Sequence, residues 1–460
     1  MRQFTLRTGT RTAITIMALL LSTAAFSQTI TLSPEAGPPT STTHVSGSGF
    51  SPNAAIDIYF GVEQLANTTC DGSGAFSGVA IQAPASAVPG KWTVTAVPVS
   101  GGARAQAPFT VSTNWSQFGF SPDGRRFNPY ENLLNPSTVG GLGLRWSYET
   151  GGEVSSSPAV ANGVVYVGGY ALNASTGALL WSASGGSSPA VADGVVYAAA
   201  GYDFFALNAG TGAQLWSYNT QGPVFTTSPA VADGVAYFST YALNTSTGAL
   251  LWFYNPGNYV ESSPAVADGV VYVGADTHEL YALNAATGAL LWSYPTGSLV
   301  KSPPAVANGV VYVGSCDGSI YAVNASSGGL LWRYPTGGFV QSSPAVADGV
   351  VYAGSFDHNV YALNARTGAL LWSYSTGDIV ESSPAVANGV VYVGSADNNV
   401  YALNALTGAL LWSYGTGNVV TSSPAVANGV VYVGSWDNHI YAFSLPSRAG
   451  AAGPASEPRN

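Results

Sequence analysis

The stretch ESSPAVANGVVYVGSADNNVYALNALTGALLW, residues 381–412, decides the fold because most of it recurs along the chain. The proline of its S-S-P-A-V motif, or of a close variant, recurs at Pro158, Pro189, Pro229, Pro264, Pro304, Pro344, Pro384 and Pro424. A tryptophan closes a strand-like run at Trp146, Trp181, Trp216, Trp252, Trp292, Trp332, Trp372 and Trp412. From Trp252 onward these tryptophans are 40 residues apart. A period of this length is typical of propellers and other repeat architectures.

Each copy divides at its turns into four short strands. The run S-S-P-A-V-A ends in every copy at Asn-Gly or Asp-Gly, a pair that suits a two-residue hairpin turn. V-V-Y-V-G-S is the returning strand, V-Y-A-L-N-A is the third, and A-L-L-W-S-Y follows a Thr-Gly turn as the fourth. The runs are β-branched and aromatic with period two, which excludes helical solenoids. Four antiparallel strands in each unit predict a propeller blade.

The order of the pieces predicts how the ring closes. Trp146 lies in a strand-like run, residues 142–150, that has no partner strands before it, and the last copy stops after its third strand. We therefore predict that the early run completes the final blade and removes an exposed sheet edge. The expected fold is all-β, with an eight-bladed propeller of four-stranded blades at residues 142–445.

Three segments differ from the repeats in composition and in residue pattern. Residues 28–113 alternate short apolar runs with turn clusters, which predicts a small β-sandwich with Trp92 in its core. Residues 114–141 are aromatic and polar without clear periodicity, and we expect an ordered lead-in segment. Residues 446–460 are small, polar and proline-bearing, which is typical of a disordered tail.

The first 27 residues have the pattern of a signal peptide. Three arginines precede an apolar run, residues 13–21, and small residues at Ala25 and Ser27 predict cleavage before Gln28. The apolar run is too short to span a bilayer, and no cysteine follows it for lipid attachment. We therefore expect an exported protein without a membrane span, secreted, periplasmic or associated with the cell surface.

Composition narrows the function classes. The net charge is −10, and only 13 lysines and arginines occur in 460 residues, which excludes a phosphate-binding stripe for nucleic acid. Cys70 and Cys316 fall in different predicted domains, so we interpret them as two separate free thiols, although export permits disulfides. The four histidines show no metal-ligand spacing. We expect a monomer.

The repeat also resembles a known family. The run A-L-N-A-x-T-G-A-L-L-W, for example residues 282–292, resembles the tryptophan-docking motif of quinoprotein propellers. With V-Y-V-G-S-x-D-x-x-[VI]-Y-A-L-N and S-S-P-A-V, it resembles the pyrroloquinoline-quinone-like (PQQ-like) propeller repeat over roughly residues 114–445. GSGFSPNAAIDIYF and DGSGAFSG in residues 28–113 resemble bacterial immunoglobulin-like domains, which usually act as spacers or adhesive stalks.

The repeated tryptophans have a structural role in this prediction. Tryptophan is a large apolar plate that can fill the wedge between blades while its N–H bonds a backbone carbonyl. We assign this docking role to Trp181, Trp216, Trp252, Trp292, Trp332, Trp372 and Trp412. Trp436, in the loop V-G-S-W-D-N-H-I, is out of register with them and is a ligand candidate.

The resemblance raises the question of a cofactor. Quinoprotein dehydrogenases of this family hold the quinone on the propeller axis under an adjacent-cysteine disulfide, with calcium and a catalytic aspartate. This chain has no Cys-Cys pair. Recurring aspartates at one turn position are interpreted as turn residues, with calcium binding as the alternative, at Asp317, Asp357, Asp397 and Asp437. We therefore predict no catalytic residue and no cofactor, because the residues do not support PQQ or calcium.

One position just before S-S-P varies from copy to copy and carries polar residues, at Glu261, Lys301, Gln341, Glu381 and Thr421. The strand that it begins is the innermost of its blade, so we predict that these side chains ring the mouth of the central channel. Drift at unconstrained solvent positions is the alternative, and Lys301 can equally form a surface ion pair. The preferred function is a non-catalytic binding or scaffold protein that engages protein or glycan there. The alternative is a PQQ-dependent dehydrogenase acting on an alcohol or a sugar.

Overall fold

The computed structural model describes residues 27–183, 185–220 and 227–446. Almost all of the predicted signal peptide and tail therefore lies outside the described residues. The described chain is all-β apart from one short 3-10 helix, Val139–Gly141, which confirms the predicted class. No helix in these ranges is long and apolar enough to cross a bilayer.

The N-terminal part is a sandwich of two sheets. Its strands are Thr29–Ser33, Ala36–Gly37, Thr42–Ser48, Ala55–Phe60, Glu63–Thr69, Phe76–Gln82, Gly90–Pro98 and Ala105–Val111. The first, third and sixth form one sheet, and the other five form the second. Trp92 is partly buried against the core, with its ring centroid 5.4 Å from that of Phe60. The immunoglobulin-like relationship of this sandwich stays a prediction.

Eight further sheets each contain four blade strands in antiparallel order, within the described ranges. The first, innermost strands are Ala159–Ala161, Ala190–Ala192, Ala230–Ala232, Ala265–Ala267, Ala305–Ala307, Ala345–Ala347, Ala385–Ala387 and Ala425–Ala427. The second strands are Val164–Val167, Val195–Ala200, Val235–Phe238, Val270–Gly274, Val310–Ser315, Val350–Gly354, Val390–Gly394 and Val430–Ser435.

The two outer strands of each sheet complete the blades, which we number 1 to 8 in chain order. The third strands are Tyr170–Asn173, Asp203–Asn208, Tyr241–Asn244, Glu279–Asn284, Ser319–Asn324, Asn359–Asn364, Asn399–Asn404 and His439–Ser444. The outermost strands are Leu179–Ser182, Gln214–Asn219, Leu250–Phe253, Leu290–Pro295, Leu330–Pro335, Leu370–Ser375, Leu410–Gly415 and Gly143–Glu149.

The ring joins at its ends through the strand that precedes the first blade. Gly143–Glu149 pairs antiparallel with His439–Ser444, the third strand of blade 8. Each innermost strand lies against the next, and that of blade 8 lies against that of blade 1. The eight sheets therefore surround a central axis, with all Asn/Asp-Gly turns at one end of the ring.

Two local features explain the repeated turns. At the Asn-Gly turn of blade 7, Asn388 has φ of 45° and Gly389 has φ of 78°, as a two-residue hairpin of this kind requires. The innermost strand is only three residues long, so the Ser-Ser-Pro part expected within it lies outside. Proline has no N–H for a strand ladder, and the serines bond neighbouring blades instead.

The repeated tryptophans bridge neighbouring blades. Trp332 donates its indole N–H to the carbonyl of Ala365 in the next blade over 2.9 Å, and the hydroxyl of Tyr312 donates to the same oxygen over 3.1 Å. Its ring also covers Gly368, where an added Cβ would lie 2.7 Å from a ring carbon. The same indole contact to a carbonyl of the following blade is made by Trp146, Trp181, Trp216, Trp252, Trp292 and Trp372. Trp412 donates to Leu142, because blade 8 closes through the earlier strand.

Candidate functional site

The lead-in segment follows the inner wall of the ring. We call residues 115–128 the axial segment. The central valine of seven innermost strands donates its N–H to this segment in chain order, at Val160, Val191, Val231, Val266, Val306, Val346 and Val386. In blade 8, the carbonyl of Val426 accepts from the side chain of Asn128 over 2.9 Å. The axial segment thus bonds all eight blades and occupies the central channel.

Arg126 anchors the axial segment at the core of the ring. The side chain is fully buried, and its guanidinium donates to the carbonyls of Phe118, Pro384 and Pro424. It also lies over the ring of Phe118, with 4.5 Å between the guanidinium carbon and the ring centroid. Burial lowers the pKa of Arg126 to about 9, so the group stays charged at neutral pH. Three backbone acceptors compensate for the loss of hydration.

The predicted mouth residues line one cavity of about 190 Å³ at the end of the ring where the innermost strands begin. Its wall contains all five of them: Glu261, Lys301, Gln341, Glu381 and Thr421. Phe118 of the axial segment also lines the cavity, so that segment closes it from below. Trp436 lies beside the cavity and donates its indole N–H to the hydroxyl of Thr421 over 2.9 Å. The structure therefore brings the predicted residues together around one polar cup, which we call the mouth.

The mouth contains one ion pair, and a further carboxylate, that of Glu381, which is not part of this pair. The ammonium of Lys301 lies 2.7 Å from the carboxylate of Glu261, and this hydrogen bond raises the pKa of Lys301. Burial, and then the charge of Glu261, raise the pKa of nearby Asp276. Glu381 stays in contact with solvent because the cup is open, but enclosure by the walls raises its pKa through desolvation. A carboxylate in such a place gains from a cation that approaches it.

A second variable position at the same end was missed from sequence. It is the residue before the recurring turn aspartate in blades 5 to 8, and the equivalent residue of blade 4. These blades place there Asp276, Cys316, Phe356, Ala396 and Trp436. The backbone N–H of each donates to the neighbouring link two residues before the first variable position. Gln341 donates to the sulfur of Cys316 over 3.7 Å, so this thiol is close to the mouth. Comparing copies at every position, rather than only before S-S-P, would have found this second set.

The two cysteines are both buried free thiols in the structure. Burial raises the pKa of each thiol above its ordinary value. A protonated buried thiol is a poor nucleophile, and neither group forms the core of a reactive centre.

The serines of the repeat form a belt below the mouth. The N–H of Ser383 donates to the hydroxyl of Ser423 in the next blade, and the N–H of Ser343 donates to that of Ser383. Pro303 interrupts the belt, because it has no N–H to give to Ser343, whose buried hydroxyl lacks a partner among the described residues. The Ser-Ser-Pro motif is thus mainly architectural.

The recurring aspartates bind the turns together. The carboxylate of Asp357 accepts from the hydroxyl of Tyr361 over 2.7 Å and from the N–H of Gly337 over 2.5 Å. Burial alone raises the pKa of Asp357, but these hydrogen bonds outweigh it and lower the pKa. The same tyrosine contact recurs at Asp317, Asp397 and Asp437. Within the described ranges, no three His, Cys, Asp or Glu side chains are grouped as a metal site.

A second cavity lies at the opposite end of the ring. It measures about 540 Å³ and is bounded by Asp123 and Arg125 of the axial segment and by the turns at Asp233, Asp268 and Asn308. Asp123 and Arg125 form an ion pair of 2.6 Å within it. Its walls come from turns that recur in all blades, and sequence comparison between copies gave no signal for it.

Comparisons with known proteins agree with this architecture. The family model described as outer membrane protein assembly factor BamB matches residues 170–242, 239–379 and 357–447. No curated protein matches the chain in sequence.

Among solved structures, quinohemoprotein alcohol dehydrogenase from Comamonas testosteroni is similar with a TM-score of 0.62 and 16% identity, over 74% of this chain and 82% of that one. BamB from Moraxella catarrhalis has a TM-score of 0.55 and 19% identity, over 66% and 99%. The computationally designed Ika8 protein has a TM-score of 0.59 and 21% identity, again over 66% and 99%. At these identities the similarity shows the fold, a PQQ-type β-propeller.

Proposed function

Because the chain belongs to the PQQ-like propeller family described by the outer membrane assembly factor BamB, we propose that it is an exported, non-catalytic binding or scaffold protein. It engages protein or glycan at the mouth, where polar residues differ from copy to copy. The sandwich displays the propeller as a stalk does. An assembly factor acts through the surfaces that it presents, and the proposed role needs no cofactor.

One observation carries this proposal. The five copy-specific polar residues converge on a single cup whose floor is the axial segment, held by Arg126. A cup lined by polar residues that differ between blades, over an axis that is filled, offers a shallow recognition surface rather than a deep reaction chamber. Propeller stability comes from the repeated parts, so the varied positions are free to serve recognition.

The alternative, a PQQ-dependent dehydrogenase, fits the residues poorly. The quinone is a planar anion with three carboxylates, and such a ligand needs cations along the axis. Lys301 is the single cationic side chain in the described wall of the mouth, and Glu261 already neutralises it. The guanidinium of Arg126 already donates to backbone carbonyls beneath the floor of the mouth. The donor set therefore disfavours the quinone on charge.

A retention experiment tests the proposed function. The purified chain is immobilised and exposed to envelope and medium fractions of the source cells, beside a mouth variant with Glu261→Gln, Lys301→Gln and Glu381→Gln. The matched control carries Asp193→Asn, Asp233→Asn and Asp268→Asn at the opposite end. Asn-Gly already occurs at this turn in other blades, so the control keeps its fold. We expect the wild type and the control to retain a ligand that the mouth variant loses.

Two results contradict the proposal. Retention by the mouth variant but not by the control moves the binding site to the second cavity. A stable PQQ–calcium complex, seen by the absorbance of the quinone and by alcohol- or sugar-dependent dye reduction, establishes the dehydrogenase instead.

A further inference from the structure

The mouth carries negative charge that the chain itself leaves unbalanced. Lys301 pairs directly with Glu261, and its charge also acts on Asp276 and on Glu381. Glu381 has no ion-pair or hydrogen-bond partner within the described residues. Three carboxylates and one ammonium give this site a net charge of −2. A ligand group that brings positive charge is favoured here, and an anionic one is repelled.

Three blades also carry aromatic side chains close to the mouth residues in sequence, at the same end of the ring. Tyr259 and Phe339, each two residues before a mouth residue, are 64% and 50% exposed. Phe339 pairs with Phe356 at 5.9 Å between ring centroids, and Trp436 contacts Thr421 of the mouth. Large exposed rings beside carboxylates are the surroundings that attract guanidinium and ammonium groups through their faces. Exposed aromatic residues are also those that dominate binding energy in protein interfaces.

The hairpin of the second and third strands is shorter in two of the blades. In blades 1 and 3 these strands have only four residues each and are joined by two-residue turns, Gly168–Gly169 and Ser239–Thr240. In blades 4 to 8 that turn is longer and carries the second variable position. The first variable position is also small in blade 1, where Ser155 occupies it. Within the described residues, the hairpins of blades 1 and 3 therefore extend less far at this end than those of blades 4 to 8.

We propose that the mouth binds an arginine or lysine side chain presented by an extended segment of a partner protein. This inference rests on the proposed function and names the chemistry of its partner. The basic group pairs with Glu381, and the flanking parts of the segment contact the aromatic side chains. A neutral glycan would bring no positive charge to pair with the carboxylate of Glu381.

Fluorescence anisotropy with two labelled nonapeptides tests the inference on the full chain. One peptide carries three arginines spaced by glycine and serine, and the other carries citrulline, the neutral isostere, at the same positions. We expect the arginine peptide to bind at least about tenfold more tightly, which corresponds to about 1.4 kcal/mol. Glu381→Gln is expected to reduce the ratio of the two peptide affinities to below about threefold. Glu63→Gln, the same substitution at an exposed sandwich residue, is expected to leave it unchanged.

The outcomes separate this inference from the proposed function. Equal affinity for both peptides, or an arginine preference that survives Glu381→Gln, overturns the cation assignment alone. Binding of maltoheptaose with neither peptide bound also overturns it, and identifies a glycan as the ligand. The proposed function fails separately, when the retention experiment shows no loss in the mouth variant.

Discussion

The two ends of the channel differ in what their residues do. At the turn end, Asn/Asp-Gly hairpins recur in all eight blades. The axial segment that lies against the innermost strands bonds the same valine of all eight blades. At the mouth end, neighbouring blades place an acid, a base, an amide and a hydroxyl at one position. The comparison teaches that repetition in this chain maintains the ring, and that the polar side chains around the mouth differ from blade to blade.

The largest expected effect concerns two tryptophans, one repeated and one not. Trp332→Ala removes a buried plate and its hydrogen bond to Ala365, and should lower the free energy of unfolding by about 3–5 kcal/mol. Trp436→Ala, beside the mouth, should cost about 1 kcal/mol or less because the ring is partly exposed. Denaturant unfolding of both variants measures this difference. Equal losses of stability in the two variants would contradict the distinction between the repeated structural residues and the variable residues at the mouth.

A smaller effect is expected for the two cations of the channel. Arg126→Ala leaves three buried carbonyls without donors and should destabilise the fold by about 3 kcal/mol. Lys301→Ala removes a half-exposed ion pair and should cost under about 1 kcal/mol. Arg125→Ala, next to Arg126 but 44% exposed, is the control and should also cost under about 1 kcal/mol. Thermal unfolding measures these losses of stability. If Arg126→Ala destabilises the protein no more than Arg125→Ala does, the anchoring role of Arg126 is contradicted.

The smallest effect tests the ring where it closes. Tyr352 donates its hydroxyl to the carbonyl of Ala405 over 3.1 Å, so Tyr352→Phe should cost about 1 kcal/mol. The equivalent hydroxyl of Tyr392 faces blade 8, which lacks the repeated turn, and it has no partner in the described ranges. Burial raises the pKa of Tyr392 well above its ordinary value. Tyr392→Phe should therefore be neutral or slightly stabilising, as urea midpoints of the paired variants would show. A loss as large as that of Tyr352→Phe would mean that the hydroxyl is bonded in solution.

Much of the architecture could be predicted from the sequence, and the reason is its repetition. The all-β class and the PQQ-like propeller type followed from eight copies of the same turns and the same tryptophan. The placement of Glu261 and Glu381 in one cup followed from strand order, because an innermost strand must begin at the channel.

Other features gave no sequence signal. The path of the axial segment depends on contacts to valine amides that are chemically identical in every blade, so no residue pattern selects its route. Arg126 is surrounded by carbonyls rather than by acids, and no complementary charge in the sequence pointed to its burial. The second cavity is built from repeated turns, and its size depends on where the axial segment lies.

Hydrogen exchange with and without the bound arginine peptide tests most directly whether the mouth is the binding end. We expect slower exchange in the links at residues 297–301, 337–341, 377–381 and 417–421. The Asn/Asp-Gly turns at residues 233–234, 268–269 and 308–309 should exchange as in the free protein. Protection of those turns with unchanged links would place the ligand at the opposite end and contradict the account.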